Sequence, residues 1–576
     1  MPLTKKTFIE AITEYRFFIL VFLASMCLRI LIPPYIVVNS PNDDFLGVML
    51  AHSLIQGHWL GAWTPDLLSK PPAYPFYLAI VHFFRISPTI PMHVFYLAAS
   101  FYVTSIILKN SPISSIFRRN LKKMVFLILA FNPAVFAGDF SKIYRISFSV
   151  VLVVAYFGLL FDLANRVNEY LNSKVQAPQF SNLFKKFWKP SMSLGFLYAI
   201  SVLNRFESYW ILVPSLVLLF IILITGSDFR IHFSNIHILS PRNLLRARLA
   251  GVLVLIGVVS YLIPIEVVSS TNKAVYGVSE IENFYSGNFA KAIKLWESVQ
   301  NGKSPYSFIA VSRGQRDAIY PYSPAARQLS VVLDSSPNTG WKTFNCSMTR
   351  ICDESGIWFP WELRTAAAQT GQIHNEQDFQ RFFAGLSNEI EAACIHKQVK
   401  CGRLGSGPGS KAILDYPKHQ IFNGLFKCLL SILNFDQVAN LNRPDTGQNP
   451  GQLQIWRETI DFKYAVTSDN STNWMALSDV IVFLKTIYIP LTDFLLVIAL
   501  ICLIIFWNRL RLLLRWFSIA ILVGVLIFSL GLSMVEAASG FTIAYSLYAL
   551  PIQPLVFLFI AVVGIAVCEV CKPSEK

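Results

Sequence analysis

Charge is what this chain has little of. Only 14% of its 576 residues are Asp, Glu, Lys or Arg, against roughly 25% in ordinary soluble domains. Hydrophobic residues make up 54%, at a mean hydropathy of +0.49. That balance excludes an ordinary water-soluble globule: apolar stretches of about 18 residues or more recur, each long enough to span a bilayer as a helix. No small-residue cleavage pattern follows the first apolar run, Phe17 to Val38, which is also too long for a signal-peptide core; it is expected to be an uncleaved first span behind a polar start carrying Lys5 and Lys6. Internal repeats, low-complexity segments and mid-span charges are missing or scarce. A transporter or lipid flippase ordinarily shows ionisable groups at mid-span and symmetry between its halves, so that alternative is disfavoured.

The charge that is present is lopsided, 49 Lys and Arg against 34 Asp and Glu, a formal net charge of +15. The basic residues gather in short connections: Lys109, Arg118, Arg119, Lys122 and Lys123; Arg166, Lys174, Lys185, Lys186 and Lys189; Arg230, Arg242, Arg246 and Arg248; Arg509, Arg511 and Arg515; Lys572 and Lys576. Short Lys/Arg-rich loops stay in the cytoplasm, so the excess is a topology signal and no nucleic-acid partner is expected. Spans are expected at 17–38, 91–108, 124–138, 146–164, 191–204, 208–225, 250–270, 486–507, 516–533 and 551–570. The apolar run Tyr74 to Phe84 is half a span long and is expected to be interfacial or re-entrant.

Three parts follow: a transmembrane catalytic module over 1–270 with a first outer loop at 39–90, an exoplasmic, mainly helical domain over 271–480, and C-terminal transmembrane helices over 481–576. Cys346 and Cys352 lie close in sequence, as do Cys394 and Cys401, and an oxidising compartment makes each pair a candidate disulfide. Zinc held by these cysteines, with His396, is the weaker alternative. Trp358-Phe359-Pro360-Trp361 reads as a packing or interface patch. The sequons at Asn345 and Asn470 read as chance occurrences, and His52, His58 and His82 lack the spacing of a metal triad.

The first outer loop carries Asp43-Asp44, then Ala51, Leu54 and Gly57, then Lys70-Pro71-Pro72-Ala73-Tyr74-Pro75. Here the chain resembles the GT-C superfamily of membrane glycosyltransferases, which includes protein O-mannosyltransferases and the aminoarabinose transferase of lipid A. The resemblance covers the first 225 residues and, weakly, the last 30. It implies a GT-C-like α-helical polytopic membrane protein with about ten transmembrane helices, and a polyprenyl-phosphate sugar as donor. It also implies a bacterial inner-membrane location with the large domain on the periplasmic side. Gly47, Ser69 and Leu547-Tyr548 depart from the pattern, so the resemblance names the class and leaves the sugar open.

Transfer from such a donor needs an acceptor hydroxyl activated beside the anomeric carbon and a leaving phosphate neutralised. Asp43 is the expected general base, with Asp44 orienting it or ligating a divalent cation such as Mg or Mn; the alternative for the pair is N-capping of a helix beginning at Phe45. Lys70, Arg145 and Arg205 are the expected phosphate-binding cations, with interfacial snorkelling as the alternative. Asp139 is a candidate second carboxylate, or else a partner for Lys142 or Arg145. The acceptor, protein, lipid or glycan, would be chosen by the outer domain. A surface-polysaccharide ligase or polymerase, with Arg313, Arg316, Arg350 and Arg364 in its outer loop, is the competing function.

Overall fold

The computed structural model describes residues 5–38, 40, 42–172, 180–225, 241–306, 308–336, 339–403, 418–438, 449–460, 471–539 and 543–571. The chain is 76% helical, with no strands among these residues. Helix α1 is Lys5–Leu31, and two short helices of the first loop follow, α2 Asp44–Ile55 and α3 Ala73–His82. The long helices continue with α4 Thr89–Leu108, then α5 Ser115–Ala130 and the short α6 Gly138–Ser141, then α7 Arg145–Asn172, α8 Phe180–Asn204, α9 Leu212–Thr225 and α10 Pro241–Tyr276. Seven helices among the described residues are long and apolar enough to cross a membrane, and eight if the bent stretch from Ser115 to Ser141 is one span. That is consistent with a helical membrane protein. The segments expected at 17–38 and 191–204 are helical in α1 and α8 but fall outside this criterion.

Two expected boundaries move, each for a local reason. The 17–38 helix stops at Leu31 because Pro33-Pro34 cannot continue it. Beyond it Tyr35 bridges Lys142 in extended conformation, with Tyr35 N bonded to Ser141 O at 2.9 Å. The 124–138 segment breaks at Asn132-Pro133 and bends by 43°. Asn132 holds the break, accepting from Ala134 N at 3.0 Å and donating to Gln553 Oε1 at 2.6 Å.

Helix α7 runs through the middle of the bundle and is buried along most of its length. Close approach elsewhere depends on glycine: a Cβ on Gly195 of α8 would stand 2.4 Å from the Gly257 carbonyl oxygen of α10. Small residues at such crossings are how apolar helices pack without a hydrophobic driving force.

After α10 the chain builds a polar domain from α11 Gly287–Ser298, α12 Arg313–Ile319, α13 Pro324–Leu333, α14 Trp341–Thr349, α15 Phe359–Ala368 and α16 Glu376–Ile395. Its core contains Phe289, Trp296, Phe359, Leu363 and Phe383. Both expected disulfides, Cys346–Cys352 and Cys394–Cys401, are formed. Asn345 is buried and donates to Ile351 O at 2.9 Å, so the folded chain does not present that sequon; Asn470 lies outside the described residues. The domain's own core ends near Cys401, short of 480. Helices α17 Lys418–Leu433 and α18 Pro450–Ile460 instead add Cys428, Trp456 and Ile460 to the bundle core. The chain closes with α19 Ser471–Ile505, α20 Leu512–Ser539, α21 Tyr545–Tyr548 and α22 Gln553–Cys571.

Chain direction sorts the ends. The start of α7 meets the end of α8 where Asn204 Nδ2 donates to Arg145 O at 3.0 Å. At the opposite end, Arg511 donates to Asn110 O at 2.8 Å and lies 3.6 Å from Glu569. The polar domain grows from the same end as the α7–α8 contact, and the basic clusters of α5, α8 and the α19–α20 turn occupy the other.

Candidate active site

Asp43 occupies the N-cap position of α2, yet its side chain makes no capping bond. It reaches across the loop to the Lys70 ammonium, which forms a very short contact with Oδ1. Tyr144 donates to the same oxygen at 3.2 Å. Burial alone would raise this carboxyl; Lys70, then Arg145 and Lys142, outweigh it and hold Asp43 at about 2. Half of the side chain (51%) remains open to the crevice above it. Lys70 is the more enclosed partner, and its burial, only partly offset by Asp43, pulls the ammonium down to about 8. Two neighbouring acids ordinarily raise one another; at Asp43 the cations reverse the sign.

Asp44 behaves oppositely. It points inward, 1% exposed, with Lys142 Nζ 3.1 Å from Oδ2. Burial lifts it to about 7 despite that cation, and Asp44 in turn keeps Lys142 protonated against its own burial. The adjacent acids are therefore an exposed anion and a buried group poised near neutrality. Lys142 is bonded to Asp44 and also lies near enough to Asp139 to act on its charge, while Asp139 hydrogen-bonds Ser546.

Arg145 begins α7 and Arg205 follows α8, so the helix termini deliver both to one place. Arg145 is half-buried beside Tyr144 and Glu207, and its buried Nε has no hydrogen-bond partner among the described residues. Arg205 lies 3.4 Å from Glu207 and 5.9 Å from the Tyr548 ring centroid, leaving Nη1 buried without a partner. Buried guanidinium hydrogens left unpaired are costly unless something accepts them, and a phosphate oxygen does so well. The expected donor-binding set thus splits into Lys70 with Arg145 beside Asp43, and Arg205 one side chain further along.

The polar domain completes the site, which the sequence did not show. Arg364 of α15 is buried, donating to Pro65 O at 2.5 Å and Leu67 O at 2.7 Å, with its guanidinium among Phe284, Phe289 and Phe379. Asn283 N donates to Leu68 O at 2.8 Å, and Glu376 accepts from both Trp63 and Asn283. Leu68 takes a left-handed φ of 56°, which this clamp stabilises two residues before Lys70. Arg316 is spent on Asp334 and Glu354, at 3.0 and 2.9 Å. Arg313 is shared between Asp317 and Asp334. Two of the four outer-loop arginines thus work inside the domain, and Arg364 ties it to the first loop.

Bundle and domain border a half-open cavity of about 230 Å³. Lys70, Pro71, Arg145, Phe206 and Glu207 line one side; Glu282, Phe284, Tyr285, Ile357, Pro360 and Trp361 line the other. Glu282 is 2% exposed, accepts from Phe284 N and Tyr285 N at 3.1 and 2.9 Å, and is raised to about 7 by burial. Phe206 and Tyr285 stack at 5.4 Å and 7°. Trp361, whose centroid is 6.0 Å from Lys70 Nζ, places the aromatic patch noted in the sequence at the site itself.

His52 and His82 contact Glu458 and Thr459 of α18. Among the described residues no group of three or more His, Cys, Asp and Glu could hold a metal, and each aspartate already faces an ammonium. As arranged, the two aspartates are each engaged by a lysine and do not converge on a common cation position.

Compared with known protein families, with curated proteins and with solved structures, the chain finds no match.

Proposed function

We propose that the chain is a GT-C-type membrane glycosyltransferase that moves a sugar from a polyprenyl-phosphate donor to an acceptor hydroxyl at the outer membrane face. The observation that carries this is the meeting of an open carboxylate, Asp43, with Lys70 and with Arg145, whose Nε has no partner among the described residues, at the rim of an apolar helix bundle. A membrane-embedded tail and an anionic head suit that combination.

At rest Lys70 neutralises Asp43, which is then a weak base. A lipid phosphate entering between Lys70, Arg145 and Arg205 competes for the ammonium. Freed of Lys70, the carboxylate becomes more basic and takes the acceptor hydroxyl proton as that oxygen bonds to the anomeric carbon. The bond from the anomeric carbon to the phosphate oxygen breaks, and polyprenyl phosphate leaves with its charge held by the same cations. Tyr144, kept protonated by burial and by Asp43, orients the carboxylate.

Asp43→Asn keeps the shape and removes the base. Transfer from polyprenyl-phosphate sugar should fall about 10²–10⁴-fold with binding of sugar-free polyprenyl phosphate retained. Undiminished transfer by this variant overturns the proposal, whereas a transporter has no reason to lose activity with it.

A further inference from the structure

We propose that α17 is a membrane-interfacial helix whose Phe422, Phe426 and Leu430 side chains are covered by phospholipid acyl chains of the leaflet nearer the polar domain. The stretch from 271 to 480 reads in sequence as lying wholly outside the membrane, so part of it gains a lipid partner. The inference stands apart from the transferase proposal.

Helix α17 has three faces. Gly424, Cys428, Ser431 and Ile432 are buried against the bundle. Phe422, Phe426 and Leu430 recur every fourth residue on a second face and are 67, 63 and 39% exposed. Asn423 and Lys427, also exposed, run as a polar strip along the edge of that stripe. Two large aromatic side chains held open in line are costly in water. Beside a polar strip they are what a helix at the boundary between headgroups and acyl chains presents.

Packing sets the depth. Helix α20 is one of the apolar helices long enough to cross a membrane. A Cβ on Gly424 would stand 2.8 Å from Ser533 Cβ, and Cys428 faces Ser529, so α17 runs antiparallel to the last turns of α20. Lys427 reaches back toward the end of α20, its ammonium 2.8 Å from Glu536 Oε1. A lysine does this when its stem lies in an apolar zone and its charge seeks the surface. With Glu536 at that surface, Ser529 and the adjoining Cys428 lie seven residues deeper, about 10 Å along α20 at about 1.5 Å per residue. Interfacial helices immerse their apolar face by about 5–10 Å. Leu526 and Val535, exposed on α20, bracket the same depth, so the stripe continues an apolar surface of the bundle. Phe435, just past α17, packs 6.2 Å from Tyr488 of α19 and 6.0 Å from Phe557 of α22, which ties the inner end to two more of the long apolar helices. The Gly424 Cβ would also stand 3.0 Å from Tyr545 Oη, so the lipid-covered helix abuts the short element that carries Tyr548 beside Arg205.

The test places the photocrosslinking residue p-benzoylphenylalanine at Phe422, at Phe426 or, as a control, at Val331, which is 81% exposed on α13. Each full-length variant is illuminated in phosphatidylcholine nanodiscs, and intact-protein mass spectrometry reads what has been captured. The aromatic replacements keep the shape of phenylalanine, and two positions on one stripe guard against a single variant that fails to fold. Both should gain the mass of a phospholipid, at a yield at least tenfold above the Val331 variant. Fragmentation of the Phe426 adduct should place the new bond on an acyl chain. A covalent dimer in place of the lipid adduct would show a second copy of the chain on the stripe. Lipid yields at both positions no higher than at Val331 would put the stripe in water. Either result overturns the proposal.

Discussion

Lys70 is under two opposed pressures, burial that favours the neutral amine and Asp43 that favours the cation, and burial wins by enough to bring it to about 8. For activity the sign is direct. The donor phosphate needs the ammonium, so kcat/KM for the donor should fall above about pH 8, and Lys70→Arg should carry that limb beyond pH 10 because a guanidinium stays charged. A limb that does not move with this substitution assigns the titration elsewhere. For stability the carboxylates run the other way. Asp44 and Glu282 have folded values near 7, above their unfolded ones. Their contribution is complete below the unfolded values and is lost as pH rises through 7. Asp43, depressed to about 2, contributes above its unfolded value and loses that contribution only as pH falls through 2. Thermal melting between pH 4 and 7 should therefore decline for the parent protein, and Asp44→Asn should flatten the slope; an unchanged slope contradicts the buried, unionised state of Asp44.

Elements decide where those residues meet, and here the sequence was readable in part. The acid doublet, Lys70-Pro71-Pro72, Arg145 and Arg205 are each conspicuous locally, as charges beside apolar runs, and the fold draws them to one end of the bundle. Both disulfides were legible because each spans a short loop. What escaped was contact between distant segments. Arg364 lies 299 residues from Pro65, whose carbonyl it binds, and no periodicity or spacing encodes such a pairing. Glu282 was missed likewise, and Lys142 was named only as a partner for Asp139, since a single charge in a loop has no pattern until its partner is known. The polar-domain boundary was overextended because α17 and α18 are amphipathic and their apolar faces belong to the bundle. The Arg364 clamp makes the domain a structural part of the Lys70 loop. Arg364→Gln should speed hydrogen exchange at the amides of residues 66–69 and raise the donor KM at least tenfold, while the domain's disulfides stay formed. Parent-like exchange in that loop would show that Lys70 is positioned by its prolines alone.

At the scale of the whole molecule, charge, covalent chemistry and the candidate site divide between the two ends. The basic clusters collect where Arg511 meets Asn110 and Glu569; the disulfides, the polar domain and the Asp43 site collect at the other. Short Lys/Arg-rich connections are retained in the cytoplasm, and disulfides persist in oxidising compartments. These two rules are physically independent, one arising in insertion and the other in redox poise, yet both support the proposed orientation, in which the site faces outward. Gln372 of the polar domain and Arg119 of α5 are both exposed and stand at opposite ends. In intact cells a membrane-impermeant maleimide should label a Gln372→Cys protein and reach an Arg119→Cys protein only after permeabilisation, against the parent chain as the control for its five unbonded cysteines. Labelling in the reverse order would turn Asp43 toward the cytosol and place it across the membrane from the donor, and the base could not then act as described.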